Sequence, residues 1–434
     1  MDKIFKFQER GTFVSREIIG GITTFLAMSY ILAVNPGILS AAGLEWGSLF
    51  TATAVSAAVA TLVMAFCANL PVALAPGLGL NAFFTYTVVL GMKCTPAFAL
   101  TAVLLEGVLF ILLSVFGIRE AIIKSIPLNL RKAVAVGIGL FITLIGLANA
   151  GIITGQAGTP VAFVNFNLEH ASAIVGMLGL VITIVLYTLN VPGSILIGII
   201  ITTIIGIPFG VTTIPENFTP VSTPAAPHFF MFEWGSVLSL KFFIVFFTFL
   251  FTDLFDTIGT LLGVAEQANL KDDEGNVVNA KGALLSDAVG TVVGACLGTS
   301  TVTSFVESSS GVAAGARTGF ASVITALLFL VALFLSPLFA LIPSAATAPA
   351  LIFVGFLMMR SVMGIDFSDI SEGIPAFITI MAMPFSYSIS KGITFGIIAY
   401  VLCKIVSRKA KDIPLVTWIL AAIFLFDIIF EAVK

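Results

Sequence analysis

Six acidic residues stand inside long apolar stretches of the sequence: Glu106, Asp253, Asp256, Asp287, Glu307 and Asp427. A carboxylate in the middle of a bilayer costs about 2.5–3.5 kcal/mol on insertion scales. Such a group therefore usually belongs to a functional site or pairs with another polar group. The spacing of Asp253, Asp256 and Thr260 puts all three on one face of a helix. We expect functional roles for Asp256 and Glu307. Asp253 and Asp287 are equally open to a functional or a structural role, and helix contacts are favoured for Glu106 and Asp427.

Glu307 follows a run of β-branched and hydroxyl residues, Thr299-Ser300-Thr301-Val302-Thr303-Ser304. Such residues favour an extended backbone, whereas an acidic residue followed by serines is typical of a helix start. A second break precedes Asn81, in the segment Pro71-Val72-Ala73-Leu74-Ala75-Pro76-Gly77-Leu78-Gly79-Leu80-Asn81. Irregular backbone survives at membrane depth only against protein or a water-filled cavity. Interrupted segments at matching positions of two halves indicate a transporter site at the midplane, which makes Asn81 a third candidate.

The composition of the chain indicates a membrane protein. The chain has 434 residues, of which 59% are hydrophobic and 10% are charged, and its mean hydropathy is +1.13. Soluble domains carry about 25% charged residues. Apolar runs near the roughly 20 residues needed to cross a bilayer recur throughout. The sequence therefore predicts an all-α, polytopic membrane protein.

We predict seven spans in each half of the chain. The first set is Ile18–Val34, Ser48–Ala68, Val72–Leu90, Ala97–Gly117, Lys132–Ala150, Ala171–Leu189 and Gly193–Ile207. A polar, proline-rich loop, Pro208–Leu240, precedes the second set: Lys241–Ala265, Gly282–Leu297, Thr301–Gly315, Gly319–Ala340, Thr347–Met363, Ile374–Ile389 and Gly392–Val406. A further segment, Leu415–Phe430, is either an additional crossing or a surface helix.

The distribution of basic residues predicts the orientation of these spans. With a cytoplasmic N-terminus, the outside holds only Lys93, Lys241, Lys391 and Lys434, out of 20 Lys and Arg residues in total. This bias follows the positive-inside rule. An odd number of crossings in each half gives the two halves opposite orientations. We expect a multi-pass protein of the cell (inner) membrane, surrounded by the lipid bilayer.

Other functional classes lack their sequence signals. No basic stripe indicates a nucleic-acid partner. His170 and His228 lie in loops and are too sparse for a metal site, and no P-loop pattern indicates ATP hydrolysis. The four cysteines are scattered without a CxxC pair, so we expect free, buried thiols. We expect no cofactor, no metal and no enzymatic activity, because an intramembrane enzyme would need a nucleophile with a base, or a metal, at depth.

Several motifs together resemble one family. They are Ala75-Pro76-Gly77-Leu78-Gly79-Leu80-Asn81-Ala82, Phe251-Thr252-Asp253-Leu254-Phe255-Asp256-Thr257-Ile258-Gly259-Thr260, Ser286-Asp287-Ala288-Val289-Gly290-Thr291, Thr299–Ser308 and Gly315-Ala316-Arg317-Thr318-Gly319. They are similar to motifs of the nucleobase–cation symporters, in the AzgA-like branch of adenine/guanine/hypoxanthine permeases. The similarity covers nearly the whole chain.

The resemblance implies a uracil-permease-like fold of 14 transmembrane segments in two inverted seven-helix repeats. Two short strands, near Val72–Leu74 and Val302–Ser304, would meet at the midplane. A core domain (residues 1–117 and 241–340) would move against a gate domain (residues 118–240, including the connecting loop, and 341–434) in an elevator-like way. A homodimer is expected by family analogy alone.

The resemblance also implies site residues. Asp256 and Glu307 would contact the purine, and Asn81 would support binding or selectivity. We add their neighbours to the predicted substrate-binding set: Gly79, Thr260, Phe305 and Val306. Phe305 is placed to stack on a planar ligand, although core packing is the commoner role of a phenylalanine.

The predicted activity is import of hypoxanthine, guanine or adenine by proton symport. Glu307 begins a half-helix, where free N–H groups favour the ionised form, so we expect it to accept N–H groups of the substrate. Asp256 lies mid-helix, where burial favours the neutral form, so we expect it to carry the proton, with Asp253 and Asp287 assisting. The alternatives are an anion exchanger or channel of the same fold, and a xanthine/uracil-type permease.

Overall fold

A computed structural model of the protein describes residues 2–116, 127–156, 159–216, 218–268, 270 and 277–433. The predicted boundary between the first core and gate segments, at residues 117 and 118, lies outside these residues, as do Arg119, Lys124 and Lys271. The side chain of Asp427 also lies outside the described part.

Most of the described chain is helical. The helices of the first half are α1 (Asp2–Phe5), α2 (Val14–Met28), α3 (Ile31–Ser40), α4 (Trp46–Val63), α5 (Leu78–Ala82), α6 (Pro96–Phe116), α7 (Leu128–Asn149), α8 (Ala171–Thr188) and α9 (Ser194–Gly206). Those of the second half are α10 (Leu240–Gln267), α11 (Ala280–Leu297), α12 (Ser308–Ala313), α13 (Gly319–Ala332), α14 (Ser336–Ala340), α15 (Ser344–Met359), α16 (Ile370–Ser386), α17 (Ile389–Val406) and α18 (Leu415–Val433).

Short helical pieces of other types extend several of these elements. Two π-helices, Met64–Ala68 and Phe83–Gly91, continue α4 and α5, and neither was predicted. The 3₁₀ segments are Leu168–His170, Leu333–Leu335, Arg360–Gly364 and Ala410–Asp412.

Within the described residues, nine helical stretches are long and apolar enough to cross a membrane. Shorter apolar helices cover Leu78–Gly91, Ser194–Gly206, Ile370–Ser386 and Leu415–Phe426. The protein is therefore a multi-pass, mainly helical membrane protein, as the composition predicted. The spans fall close to the predicted positions, with shifted ends.

One predicted boundary was wrong for a local reason. The span predicted as Ile374–Ile389 ends at Ser386, because Tyr387 adopts a left-handed backbone with φ 52°. Ser388 then caps the next helix by accepting a hydrogen bond from the N–H of Lys391. The new helix starts at Ile389, three residues before the predicted start at Gly392.

Two short antiparallel sheets interrupt the helices. β1 (Leu74–Pro76) pairs with β4 (Val302–Ser304), so that Leu74 faces Ser304 and Pro76 faces Val302. β4 has its predicted bounds, whereas β1 starts two residues after the predicted Val72. β2 (Ile153–Gln156) and β3 (Thr159–Phe163) form a hairpin that was not predicted.

The helices pack in two groups. In one group, α2, α4, α6, α11, α12 and α13 contact one another, and α3 and α10 pack on them. In the other, α7 packs on α15 and α16, α8 on α9 and α15, and α17 on α16 and α18. β1 and β4 lie within the first group, against α4, α10 and α11.

The long loop between α9 and α10 is fastened to the first group. Within its described residues it contains neither helix nor strand. The N–H of Phe230 bonds Cys296 O (2.9 Å), the N–H of Glu233 bonds the Thr101 hydroxyl (2.8 Å), and the N–H of Ser222 bonds Phe334 O (3.0 Å). These contacts join segments that the charge distribution placed on the same side of the membrane.

The cysteines depart from the prediction in one respect. All four are free thiols, as expected. Cys67 is exposed, however, and Cys94, Cys296 and Cys403 are half-buried, so the prediction of buried thiols was wrong. Cys67 lies in the π-helix that ends at Ala68, at the edge of the helical packing.

Candidate functional site

The two chain breaks meet at the β1–β4 sheet. Beyond the paired residues, the N–H of Gly77 bonds Thr301 O and the N–H of Phe305 bonds Ala73 O, both at 3.0 Å. The first residue of α12, Ser308, also accepts a hydrogen bond from the N–H of Ala73 (3.0 Å). Both short helices therefore begin within a few residues of the sheet. Because the two strands are antiparallel, the helices leave the sheet at opposite ends.

The hydroxyl residues before β4 tie the sheet to three helices. Three consecutive residues each hydrogen-bond a polar side chain of a different span: Thr299 with Asn35 of α3 (3.0 Å), Ser300 with Asn81 of α5, and Thr301 with Glu106 of α6 (2.8 Å). All six side chains are buried. Because each bond closes a long stretch of chain, the run fixes where the second break sits against the first half.

The strand itself continues this pattern. The Thr291 hydroxyl of α11 bonds both Val302 N (3.2 Å) and Val302 O (3.1 Å). The Thr303 hydroxyl bonds the Asp256 carboxyl group, and the Ser304 hydroxyl bonds the backbone oxygen of Thr257 (3.2 Å). The strand thus positions the α10 segment that carries the acidic residues.

The structure places Glu307 and Asp256 near each other. Both side chains are half-buried, and they interact electrostatically with each other. Glu307 precedes α12 but makes no side-chain capping bond to it. One carboxylate oxygen of Glu307 instead accepts a hydrogen bond from the Tyr30 hydroxyl at 2.6 Å. The arrangement offers two adjacent carboxyl groups that can accept N–H donors or take up a proton.

Asp253 and Asp287 are buried more deeply than Asp256 and Glu307. Both are fully buried, and both contact the hydroxyl of Thr257, at 3.2 Å from Asp253 and 2.7 Å from Asp287. Asp287 also interacts electrostatically with Asp256. A hydroxyl has one proton to donate, so when it donates to one of these groups the other can bond it only as a protonated acid. Thr257 therefore links two acidic groups through which a proton can be shared.

The other predicted residues occupy different surroundings. Asn81 is fully buried and accepts the Ser300 hydroxyl, while its Nδ2 atom has no hydrogen-bond partner among the described residues. Phe305 is only 6% exposed and belongs to the hydrophobic core, so its ring offers little surface for stacking. Val306 is 45% exposed and Thr260 is half-buried. Gly79 faces Ile138 of α7, where an added Cβ would lie 2.7 Å from a methyl group.

Sequence reasoning missed Tyr30, Thr257 and Ser300. Acidic and amide side chains at membrane depth are conspicuous in the sequence, whereas these residues act through hydroxyl groups. Tyr30 had a visible signal, since it is the one tyrosine in the first predicted span. Among the described residues, no group of three or more His, Cys, Asp or Glu side chains is arranged to hold a metal ion.

Comparison with known proteins identifies the family. The sequence profile described as "Permease family" matches residues 15–395. The chain is 43% identical to the guanine/hypoxanthine permease PbuG of Bacillus subtilis, over 99% of this chain and 100% of that protein. It is 40% identical to the adenine permease AdeP of Escherichia coli, over 99% of this chain and 96% of that protein.

The fold is also found in a solved structure of low sequence similarity. The transmembrane domain of the cyanobacterial bicarbonate transporter BicA matches with a TM-score of 0.63 and 17% identity, over 89% of this chain and 97% of that chain. At this identity the match concerns the fold alone. The profile and the near full-length relatives place the chain in the Permease family, as a multi-pass membrane permease.

Proposed function

We propose that the protein imports purine nucleobases, namely hypoxanthine, guanine and adenine, by proton symport. The observation that carries this proposal is the pair of half-buried carboxyl groups, Glu307 and Asp256, at the junction of two broken helices. The printed activities of PbuG and AdeP support the substrate class. A purine is flat and has N–H donors on its edge, which suits acceptor groups at a site between helix ends.

In the proposed mechanism, Glu307 accepts an N–H of the base and Asp256 carries the proton. The hydrogen bond from Tyr30 supports an ionised Glu307, because a phenol donates to a carboxylate. Asp256 has two acidic neighbours, Glu307 and Asp287, and like charges at short range favour one protonated partner. Asp253 and Asp287, joined by Thr257, assist the proton transfer, and Asn81 supports the substrate side.

The proposal extends to the architecture. We assign 14 spans in two inverted seven-helix repeats, a core domain of residues 1–117 and 241–340, and a gate domain of residues 118–240 and 341–434. The two packing groups of helices support this division, since the site belongs wholly to the first group. Elevator-like movement of the core against the gate would carry the site between the two sides of the inner membrane, with the N-terminus in the cytoplasm.

Electrostatics disfavours the alternative of an anion exchanger of the same fold. An anion entering the site would meet the ionised Glu307, and like charges repel. A xanthine/uracil-type permease differs only in the base that it takes, so competition decides it. Labelled hypoxanthine uptake is measured in cells lacking their own permeases, with adenine, guanine, xanthine and uracil as competitors.

The same assay tests the role of each carboxyl group. Asp256→Asn is expected to abolish accumulation driven by a proton gradient, and Glu307→Gln to weaken substrate binding at least tenfold. Asp412→Asn, at an exposed position in the 3₁₀ segment Ala410–Asp412, is the matched control and should behave as the wild type. An uncoupler should abolish accumulation by the wild type. Purine accumulation by Asp256→Asn that still depends on the proton gradient would refute the proton-carrying role.

A further inference from the structure

Tyr30 lies at a break in the first membrane span. α2 ends at Met28 and α3 starts at Ile31, with a turn between them. The Tyr30 side chain is 1% exposed, and its hydroxyl is 2.6 Å from Oε1 of Glu307. The two residues are 277 positions apart in the chain, so the contact joins the first span to the start of α12.

The contact suits a phenol that donates to a carboxylate. An O–H group bonds an ionised carboxylate more strongly than a neutral acceptor, so this contact favours the ionised form of Glu307. A phenol has a single proton, and a carboxylate can only accept. A carboxylate has about four lone-pair positions, so a half-buried Glu307 that accepts the phenol on Oε1 keeps capacity to accept an N–H from a ligand.

The surroundings of Glu307 make this donor important. α2 and α10 both pack against α12. Among the described residues, the titratable groups that face Glu307 are Tyr30, from the turn after α2, and Asp256 of α10. Asp287 lies beyond Asp256 and is linked through Thr257 to Asp253. Glu17 of α2 and the nearby Arg317 lie at the other end of α12 and bind backbone groups there. Tyr30 is thus the neutral donor among acidic neighbours.

We propose that Tyr30 is a positioning residue that holds Glu307 in its acceptor form, so that the site takes neutral bases presenting an N–H to that carboxylate. The inference rests on the proposed function and adds a selectivity element to it. Without the phenol, Glu307 takes up a proton more readily and then presents a donor to the ligand. Acid pH should therefore weaken base binding, and Tyr30 should set the pH at which this begins.

The test uses purified full-length protein in nanodiscs, so that no proton gradient is present. Binding of tritiated hypoxanthine is measured between pH 4.5 and pH 8.5 for the wild type, Tyr30→Phe and Tyr187→Phe. Tyr187 of α8 is a matched control, because its ring packs on Phe353 in the other group of helices. In Tyr30→Phe the loss of binding on the acid side should move up by about one pH unit, while binding at pH 8 stays within about threefold of the wild type. Tyr187→Phe should follow the wild type.

Two results would overturn the inference while leaving the proposed function intact. One is an equal loss of affinity at every pH, which indicates a purely structural role for Tyr30. The other is an unchanged pH profile. If wild-type protein binds no purine at all, the proposed function itself fails.

A second variant covers the case in which Tyr30→Phe does not fold. 3-Fluorotyrosine placed at position 30 keeps the shape of the side chain and makes its hydroxyl a stronger donor. The acid limit of hypoxanthine binding should then move to lower pH than in the wild type. A limit that stays in place, or moves to higher pH, contradicts the inference.

Discussion

Glu17, in the first turn of α2, accepts a hydrogen bond from the backbone N–H of Arg317, 300 residues later in the chain, at 2.8 Å. The same carboxylate accepts the N–H groups of Thr318 and Ala321, both at 3.3 Å, at the start of α13. The Arg317 guanidinium donates to Val312 O and Ala316 O, both at 2.7 Å, at the end of α12. The buried Glu17 therefore fixes the turn between the half-helix that follows Glu307 and the next span.

Removing this carboxylate should destabilise the protein strongly. Glu17→Ala leaves the backbone N–H groups of Arg317 and Thr318 without this acceptor, whereas the N–H of Ala321 keeps its bond to Thr318 O. We expect a loss of about 3 kcal/mol, seen as a lower midpoint of thermal unfolding in detergent. Glu17→Gln keeps an acceptor oxygen and should lose less. Glu9→Ala removes an exposed partner of Lys6 and should leave the midpoint unchanged. Equal midpoints for Glu17→Ala and Glu9→Ala would contradict this account.

Gly311 sets the distance between α12 and α2. A Cβ at this position would lie 2.0 Å from the Thr24 hydroxyl and 2.5 Å from the backbone oxygen of Gly20, which cannot move out of the way without shifting α2. Gly311→Ala should therefore displace α12, move Glu307 relative to Tyr30 and reduce hypoxanthine uptake at least tenfold. Overpacking of this kind costs about 1–3 kcal/mol, so protein should remain in the membrane for the measurement.

Gly37 provides the control for this substitution. It lies in α3, and no other described part of the chain comes within 4 Å of an added Cβ, so Gly37→Ala should keep wild-type uptake. Normal uptake by Gly311→Ala, at equal amounts of protein in the membrane, would show that the close approach of α2 and α12 does not position the site.

The sequence predicted the breaks well because their signals are local. Pro76 and Gly77 interrupt a span at one break, and β-branched residues precede Glu307 at the other, so both strands and both short helices could be expected. The nearness of Asp256 to Glu307 followed from the family resemblance and from the rarity of carboxylates at depth. The start of β1 was predicted less accurately than that of β4. The strand begins at Leu74 because pairing with Ser304 selects the register.

The partners of these residues could not be predicted in the same way. Tyr30 reaches Glu307 across 277 residues, and Ser300 reaches Asn81 across 219, so only the packed fold brings them together. Serine and threonine hydroxyl groups in a membrane helix more often bond the backbone one turn back, as Thr248 does with Ile244 O at 2.8 Å. The residue type alone therefore does not distinguish Thr257, whose hydroxyl contacts two carboxyl groups, from threonines that bond only the backbone.

The buried Lys404 of α17 forms an ion pair with the half-buried Glu372 of α16. Their side chains are 6% and 20% exposed, and Lys404 Nζ lies 2.7 Å from Glu372 Oε1. Lys404→Met leaves Glu372 without its cation and should cost about 3–5 kcal/mol in stability, read as a lower midpoint of thermal unfolding. Lys411→Met, at an exposed site, is the control.

Replacing both partners should restore much of this loss. In Lys404→Met/Glu372→Leu no buried charge is left unpaired, and apolar pairs of similar size are often as stable as the ions that they replace. The double variant should therefore unfold at a higher temperature than Lys404→Met alone. A double variant that is less stable than the single one would show that Glu372 contributes through contacts other than Lys404.

Asp369 and Lys409 give the protein a stabilising contact with a defined pH window. The Lys409 ammonium group, 2.8 Å from Asp369 Oδ2, lowers the pKa of the Asp369 carboxyl group, and the hydrogen bonds from Ser371 lower this pKa further. A lowered carboxyl pKa stabilises the fold at pH values above the ordinary aspartate pKa of about 3.9. The stabilisation is lost as the pH falls through the lower value of the folded protein.

Asp369→Asn isolates this charge effect, because asparagine can still cap α16 through the N–H of Ser371. The midpoint of thermal unfolding should be lower in the variant by a constant amount between pH 5 and pH 8, and the difference should shrink below about pH 4. The Asp369 hydrogen bond raises the pKa of Lys409, so the deficit of Lys409→Met should persist until the pH rises above the ordinary lysine value of about 10.4. Both side chains are partly exposed, at 33% and 45%, so 1 M salt should reduce each difference. A deficit of Asp369→Asn that stays constant down to pH 3 at low salt would indicate lost packing instead of a lost charge.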